Sequence, residues 1–249
     1  MEGIRGKNVL ITGANKGIGQ AIALGFAKEG ANVVINDICS ENEAQATVDQ
    51  AKRYGTSVYY YRADVTNRQQ VQEMHLFFKE TLGEVHVLVN NAGIAKASLV
   101  RDMSDEQWDQ MIKVHLYGTF YNSREVIASM QAFGSGKMIN ISSDLASLGV
   151  EEFAHYSAAK GGIISLTKSL ARELAPLIQV NAVAPGGTLT DILTSFGENY
   201  IEEEAASYPL KRLATPEEIA QSVLFLASTA GDFYTGQVLN PNGGSVMNG

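Results

Sequence analysis

A short apolar run, Val9-Leu10-Ile11, leads directly into Thr12-Gly13-Ala14-Asn15-Lys16-Gly17-Ile18-Gly19, and an apolar helical stretch follows as far as Glu29. Strand, glycine-rich turn and helix in immediate succession is a narrow specification. The glycines permit a tight turn, and backbone amides at the start of the helix face a space that suits a pyrophosphate. Asp37 stands at the end of the next apolar run, at the separation from Gly17 that a contact with a ribose hydroxyl requires. A chain carrying this unit is committed to a parallel sheet with crossover helices.

The remaining sequence continues the alternation. Ser40 and Glu43 form a capping box for a helix reaching about Tyr54. Residues 57–62, aromatic and β-branched, read as a third strand. Asp64 follows it, placed either to cap the next helix at Asn67 or to accept from an adenine amine. That helix spans residues 67–82, and residues 85–89 form a fourth strand running into Asn90. Ser104 and Gln107 open a helix continuing past Gly118 to about Phe133. Residues 137–141 are a fifth strand, ending at Ser142 and Ser143, and residues 178–184 a sixth. Thr215-Pro216-Glu217-Glu218 is a strong helix start, and Val238-Leu239 a short last strand. The expected fold is α/β: one doubly wound domain over residues 1–249, about seven parallel strands with helices on both faces, and a mobile lid at about 187–213. Ligands bind at the carboxyl ends of such strands.

A second constellation lies late in the chain. Tyr156 and Lys160 are four residues apart in a stretch that reads helical through Leu174, so they share one face a turn apart. A free phenol has a pKa near ~10, too high for a base at neutral pH. A nearby ammonium favours the phenolate. The pair suits acid/base work on a carbonyl or hydroxyl, although a solvated surface pair has the same spacing.

Composition narrows the function classes. A length of 249 residues falls within the range of one α/β domain. The net charge of −8 argues against a nucleic-acid surface. No apolar run approaches the ~18 residues of a membrane span, and the first residues lack the apolar core of a signal peptide. The lone cysteine, Cys39, forms no intrachain disulfide, consistent with a reducing cytoplasm. No metal site is expected.

These motifs together resemble the short-chain dehydrogenase/reductase family over essentially the whole chain. Residues 12–19 match its TGxxxGxG, Asn90-Asn91-Ala92-Gly93 its NNAG, Ser143, Tyr156 and Lys160 its Ser-Tyr-Lys set, and residues 185–190 its PGxxxT. The resemblance is to members that reduce 3-oxoacyl thioesters on an acyl carrier protein and to NAD-dependent secondary-alcohol dehydrogenases. It implies that Ser143 holds the substrate oxygen, that Tyr156 exchanges the proton, and that Lys160 lowers the Tyr156 pKa and donates to the nicotinamide ribose. It implies cofactor contacts at Gly13, Asn15, Lys16, Gly17, Ile18, Gly19, Asp37, Asp64, Val65, Asn91, Ala92, Gly93, Tyr156, Lys160, Pro185, Gly186, Thr188 and Thr190. For Asp64 it favours the adenine contact. Ser142 stands one residue too early for the serine role.

One departure stands out. Where the family usually has Asn, in a proton relay running from the lysine to solvent, this chain has His115. Its imidazole either takes part in the relay or only packs, and the two readings weigh equally.

Asp37 favours NAD, since its carboxylate would repel a 2′-phosphate. Lys16 favours NADP unless it pairs with a surface acid. The expected activity is hydride transfer between NAD(H) and a secondary alcohol or ketone. Reduction of a 3-oxoacyl group on an acyl carrier protein is the alternative within the family. A non-catalytic nucleotide-binding scaffold is the reading from another class, and the complete Ser143-Tyr156-Lys160 set argues against it. Asp144, Leu145, Phe153, Gly187 and the lid, with Tyr200, Ile201 and Tyr208 as apolar contacts, should wall the substrate pocket. Glu198 and Glu202-Glu203-Glu204 read as a solvated helix face. Ile163, Ile164, Leu166 and Leu170 exceed what one core-facing stripe needs, and with the family habit they predict a homotetramer.

Overall fold

The computed structural model describes residues 1–247. Seven parallel strands form one sheet in the order β3-β2-β1-β4-β5-β6-β7. They are β1 (Asn8–Thr12), β2 (Asn32–Asp37), β3 (Val58–Arg62), β4 (Val87–Asn90), β5 (Gly136–Ile141), β6 (Ile178–Val183) and β7 (Val238–Leu239). The long crossover helices are α1 (Gly17–Lys28), α2 (Glu41–Lys52), α3 (Arg68–Leu82), α4 (Asp105–Ile112), α5 (Gly118–Phe133), α7 (Ala154–Leu174) and α10 (Pro216–Ala227). Three further helices sit at the carboxyl edge: α6 (Leu145–Leu148), α8 (Asp191–Thr194) and α9 (Glu198–Ser207).

Strand residues alternate between two apolar layers, the period-two signature of a sheet covered on both faces. Val9, Ile11, Val33, Ile35, Val87 and Val89 pack with Ile22 and Phe26 of α1 and Val223 of α10. Leu10, Val34, Leu88 and Met138 pack with Met74 and Phe78 of α3 and Met130 of α5. The order reverses between β1 and β4, whose neighbours run outward in opposite directions. That crevice, at the carboxyl edge, is where an open α/β sheet receives a ligand.

The helix boundaries largely follow their caps. Ser40, Ser104 and Thr215 each accept from the amide three residues on, and each capping box is complete. The helix expected to run unbroken from Ser104 to Phe133 is interrupted. Residues Lys113–Tyr117 form a π-helical segment between α4 and α5. Such one-turn insertions are common at functional sites, and this one carries His115. The segment expected to be a lid holds α8 and α9. Of the four apolar α7 residues, Ile163 is buried and Leu170 packs against the core. Ile164 and Leu166, like Leu170, remain half-exposed.

Candidate active site

The glycine-rich turn is tied down on both sides. Asn91 Nδ2 donates to the carbonyls of Thr12 and Gly13 at 3.0 and 2.8 Å. Thr12 Oγ1 accepts from the amides of Asn91 and Ala92. A Cβ on Gly13 would sit 2.6 Å from Ala92 Cα, and one on Gly19 would sit 2.2 Å from Gly13 O. Only glycine allows this approach. Thr47 Oγ1 donates to Asn15 O at 2.9 Å, fixing the buried Asn15 from α2. The N-cap of α1 is Lys16, which makes no side-chain capping bond, and the first turn holds no acid. The amides there keep their capacity for an outside anion, so the cradle fits a dinucleotide pyrophosphate.

Asp37 ends β2 beside this turn. Its Oδ2 accepts from Asn15 N at 3.1 Å, and its Oδ1 from Ile38 N at 2.8 Å and Cys39 N at 3.4 Å. Lys16 pairs with the exposed Asp191 of α8 at 3.5 Å. A second base lies nearby. Arg62, in register with Asp37 on β3, donates from Nε to Ile38 O at 3.0 Å. The sequence offered no signal for Arg62, because the pairing of β2 with β3 is what brings it there. Asp64 Oδ1 accepts from Thr66 N at 2.8 Å, and Asn67 caps α3 with its own side chain. Of the two alternatives for Asp64, capping of that helix falls to Asn67 instead. Val65 is buried, and a Cβ on Gly118 would press its side chain. Gly93 is exposed and Ile18 half-buried beside the same crevice. Thr190 lies against the turn from the other side, with Cγ2 3.1 Å from a Cβ placed on Gly17. Thr188 Oγ1 donates to Gly186 O, and Asp144 N donates to Pro185 O.

Ser143, Tyr156 and Lys160 meet where β5 and α7 emerge at the carboxyl edge. Ser142 Oγ donates to Lys160 O at 2.9 Å, and Asn140 Nδ2 to Thr167 Oγ1 at 2.9 Å, so β5 clamps α7 in place. Ser142 thus serves structure, while the neighbouring Ser143 faces the Tyr156 phenol and pulls its pKa down. Lys160 Nζ lies 5.5 Å from the centre of the Tyr156 ring and donates to Ile141 O at 2.7 Å. Burial dominates the electrostatics of both. It pushes the Tyr156 phenol up to about 12, with Ser143 pulling it down and the Asp144 carboxylate pushing it further up. It pushes the Lys160 ammonium down to about 7. The expectation that Lys160 lowers the Tyr156 pKa is corrected for the chain by itself. At that distance, in this dry setting, desolvation outweighs the attraction.

His115 packs edge-on against Tyr156, with ring centres 5.2 Å apart. Its Nε2 faces Ile94 O at 2.8 Å and Ile94 N at 3.2 Å, while the buried Nδ1 has no partner. Burial, aided by the Lys160 charge, holds the imidazole well below its ordinary pKa.

The pocket wall is more polar than the sequence suggests. Tyr208, expected as an apolar contact, is buried. Its hydroxyl accepts from Gly187 N at 2.7 Å and donates to Glu204 Oε1 at 2.8 Å. Glu202 and Glu203 are solvated as expected, but Glu204 turns inward. Phe153 packs against both Tyr156 and Phe196 of the lid segment. Among the described residues, no cluster of three or more His, Cys, Asp or Glu is placed to hold a metal ion. No helix among them is long and apolar enough to cross a membrane.

Comparison with known proteins agrees with this geometry. Residues 13–245 match the family described as Enoyl-(Acyl carrier protein) reductase. The 3-oxoacyl-[acyl-carrier-protein] reductase of Staphylococcus epidermidis is 40% identical, covering 97% of this chain and 99% of its own. That of Thermotoga maritima is 40% identical over 98% and 99%, and that of Chlamydia pneumoniae 38% over 96% of each. A dinucleotide cradle, a serine, tyrosine and lysine at one strand edge, and matches of this extent lead to one conclusion. The chain belongs to the short-chain dehydrogenase/reductase family, oxidoreductases that move hydride between a nicotinamide cofactor and a hydroxyl- or keto-bearing carbon.

Proposed function

We propose that this protein reduces a 3-oxoacyl thioester to the 3-hydroxyacyl thioester with NADH. The convergence of Ser143, Tyr156 and Lys160 beside the dinucleotide cradle carries the chemistry. The printed names of the relatives carry the substrate, and they move the thioester ahead of the simple secondary alcohol or ketone. When bound, a nicotinamide dinucleotide supplies the hydride for reduction and takes it up in oxidation. Ser143 donates to the substrate oxygen. Tyr156 gives that oxygen its proton. Lys160, one turn from Tyr156, holds the nicotinamide ribose. Residues 187–213 close over the substrate as a lid. The His115 side chain pins the loop at Ile94 and braces the Tyr156 ring. Its Nε2 is engaged by the Ile94 backbone and its Nδ1 meets no partner that could continue a relay, which supports bracing over proton relay.

Asp37 supports NADH over NADPH. Its carboxylate is held by three amides where the ribose 2′ position would lie. Lys16 is engaged by Asp191 in an exposed pair, and such pairs are worth about 0–1 kcal/mol, too little to govern the choice. A cytoplasmic location and an acyl carrier protein as partner belong to the same reading. So does a homotetramer, supported by the exposed Trp108, Tyr117 and Phe120 at α4 and α5.

The test is kcat/KM for a 3-oxoacyl group on an acyl carrier protein, the same group on coenzyme A, and a simple ketone, each with NADH and NADPH. The reading predicts the carrier-bound thioester first, and NADH over NADPH by roughly tenfold or more. A simple ketone turned over best would restore the secondary-alcohol reading. Preference for NADPH would show that Lys16 and Arg62 outweigh Asp37.

A further inference from the structure

The residue after Ser143 is a carboxylic acid buried in the wall of the site. Asp144 is only 3% exposed. Ser143 Oγ donates to its Oδ1 at 3.1 Å, and Ser245 Oγ, from the C-terminal loop, donates to its Oδ2 at 2.7 Å. Ser143 Oγ also accepts from Leu145 N at 3.2 Å. A serine hydroxyl has one proton and two lone pairs. With Leu145 N–H on one lone pair and the proton directed to Asp144, one lone pair remains for the Tyr156 side. A carbonyl oxygen has no proton and can bind Ser143 only by accepting one.

We propose that Asp144 is a positioning residue that sets the direction of the Ser143 proton and thereby whether the site accepts a keto oxygen. It acts through Ser143 and rests on the reading above, in which Ser143 donates to the substrate. When Asp144 is ionised, the carboxylate competes with the substrate for that proton, and charge-assisted hydrogen bonds are the stronger kind. When Asp144 is protonated, the competition ends and Ser143 is free to donate. Ionised Asp144 also opposes formation of the Tyr156 phenolate.

The groups that face Asp144 come from four elements. They are Ser143 beside it, Tyr156 of α7, Tyr200 and Glu204 of α9 with Tyr208 just beyond, and Ser245 of the C-terminal loop. Burial above all pushes the Asp144 carboxyl up, and the charge of Glu204, the other carboxylate in this set, adds to it in the same direction. The hydrogen bonds from Ser245 and Ser143 pull it down. The sign follows. Thioester reduction is full below the Asp144 pKa, which lies above the usual aspartate value, and declines as pH rises through it.

The experiment compares wild type, Asp144→Asn and Ser245→Ala. Two quantities are followed: the pH dependence of kcat/KM for the 3-oxoacyl thioester with NADH, and the aspartate carboxyl resonances in a carbon-13 NMR titration. Asn donates to Ser143 without taking its proton, so Asp144→Asn loses the decline and gains roughly tenfold over wild type on its alkaline side. Ser245→Ala removes a stabilising donor, so both the decline and the resonance absent from Asp144→Asn move to higher pH. Lys160 is present in all three proteins and its shift comes from burial alone, so differences between them report on Asp144. Coincident profiles, or an Asp144 resonance in the ordinary aspartate range, would overturn the proposal. If Asp144→Asn fails to fold, an unmoved Ser245→Ala profile overturns it equally. Wild type that binds NADH but turns over no keto substrate at any pH would instead overturn the reductase reading.

Discussion

Lys160 shows how function and stability oppose one another at a single residue. It is buried, and its ammonium is depressed to about 7 against an ordinary value near ~10.4. The unfolded chain therefore binds a proton more readily than the folded one between these values. Folding stability falls as pH drops from about 10 toward 7, and the full penalty is present below 7. At about 1.4 kcal/mol per unit, the penalty is on the order of a few kcal/mol. Lys160→Met should therefore be more stable than wild type near pH 7 in urea unfolding, with the difference shrinking as pH approaches ~10. A difference independent of pH would show that packing, and not the buried charge, separates the two proteins. The same variant should lose turnover, because the charge that destabilises the fold is the one the site uses. Lys160 and Tyr156 were legible as a pair from their spacing. Their pKa shifts were not, because desolvation depends on what covers the pair.

Among the elements, the π segment at Lys113–Tyr117 has the clearest consequence. It brings His115 against Ile94 and Tyr156, joining the helix before β5 to the loop after β4. His115→Leu keeps the bulk and removes the contact with Ile94. We expect a loss of about 1 kcal/mol in stability, since a half-buried backbone group is left unpaired, and a kcat lowered with NADH affinity retained. Turnover and stability equal to wild type would show that the side chain only fills space. Nothing in the sequence announced this insertion, because residues 104–133 contain no proline and read as one helix. The strands were easier to find. Short β-branched runs bounded by Gly, Asp and Asn could belong only to a buried sheet, and the errors fell at their ends. The acidic run in α9 misled at one position. Glu202 and Glu203 are solvated, but Glu204 is turned inward by Tyr208, four residues on at the C-cap of α9.

For the whole molecule, the order β3-β2-β1-β4-β5-β6-β7 brings every motif to one edge. That much followed from the glycine-rich unit and the alternation after it. Partners distant in sequence did not follow. Ser245 meets Asp144 across a separation of 101 residues, and Arg62 meets the ribose side only through strand pairing. Assembly is the remaining question at this scale. Exposed Tyr117 and Phe120 with half-buried Tyr121, and Arg124 stacked 5.0 Å from the Phe120 ring, form an aromatic face on α5. Light scattering at micromolar concentration should give a tetramer mass for wild type and a smaller species for Phe120→Asp. A monomeric wild type would contradict this.

In the proposed reaction the Tyr156 phenol delivers the proton while hydride moves to the keto carbon. This is tested most directly by the rate of NADH oxidation with a 3-oxoacyl thioester in wild type and Tyr156→Phe, with NADH binding measured in both by fluorescence. We expect steady turnover by wild type, a loss of roughly a hundredfold or more in kcat for Tyr156→Phe, and equal NADH affinity. Comparable rates in the two proteins would contradict this role of Tyr156.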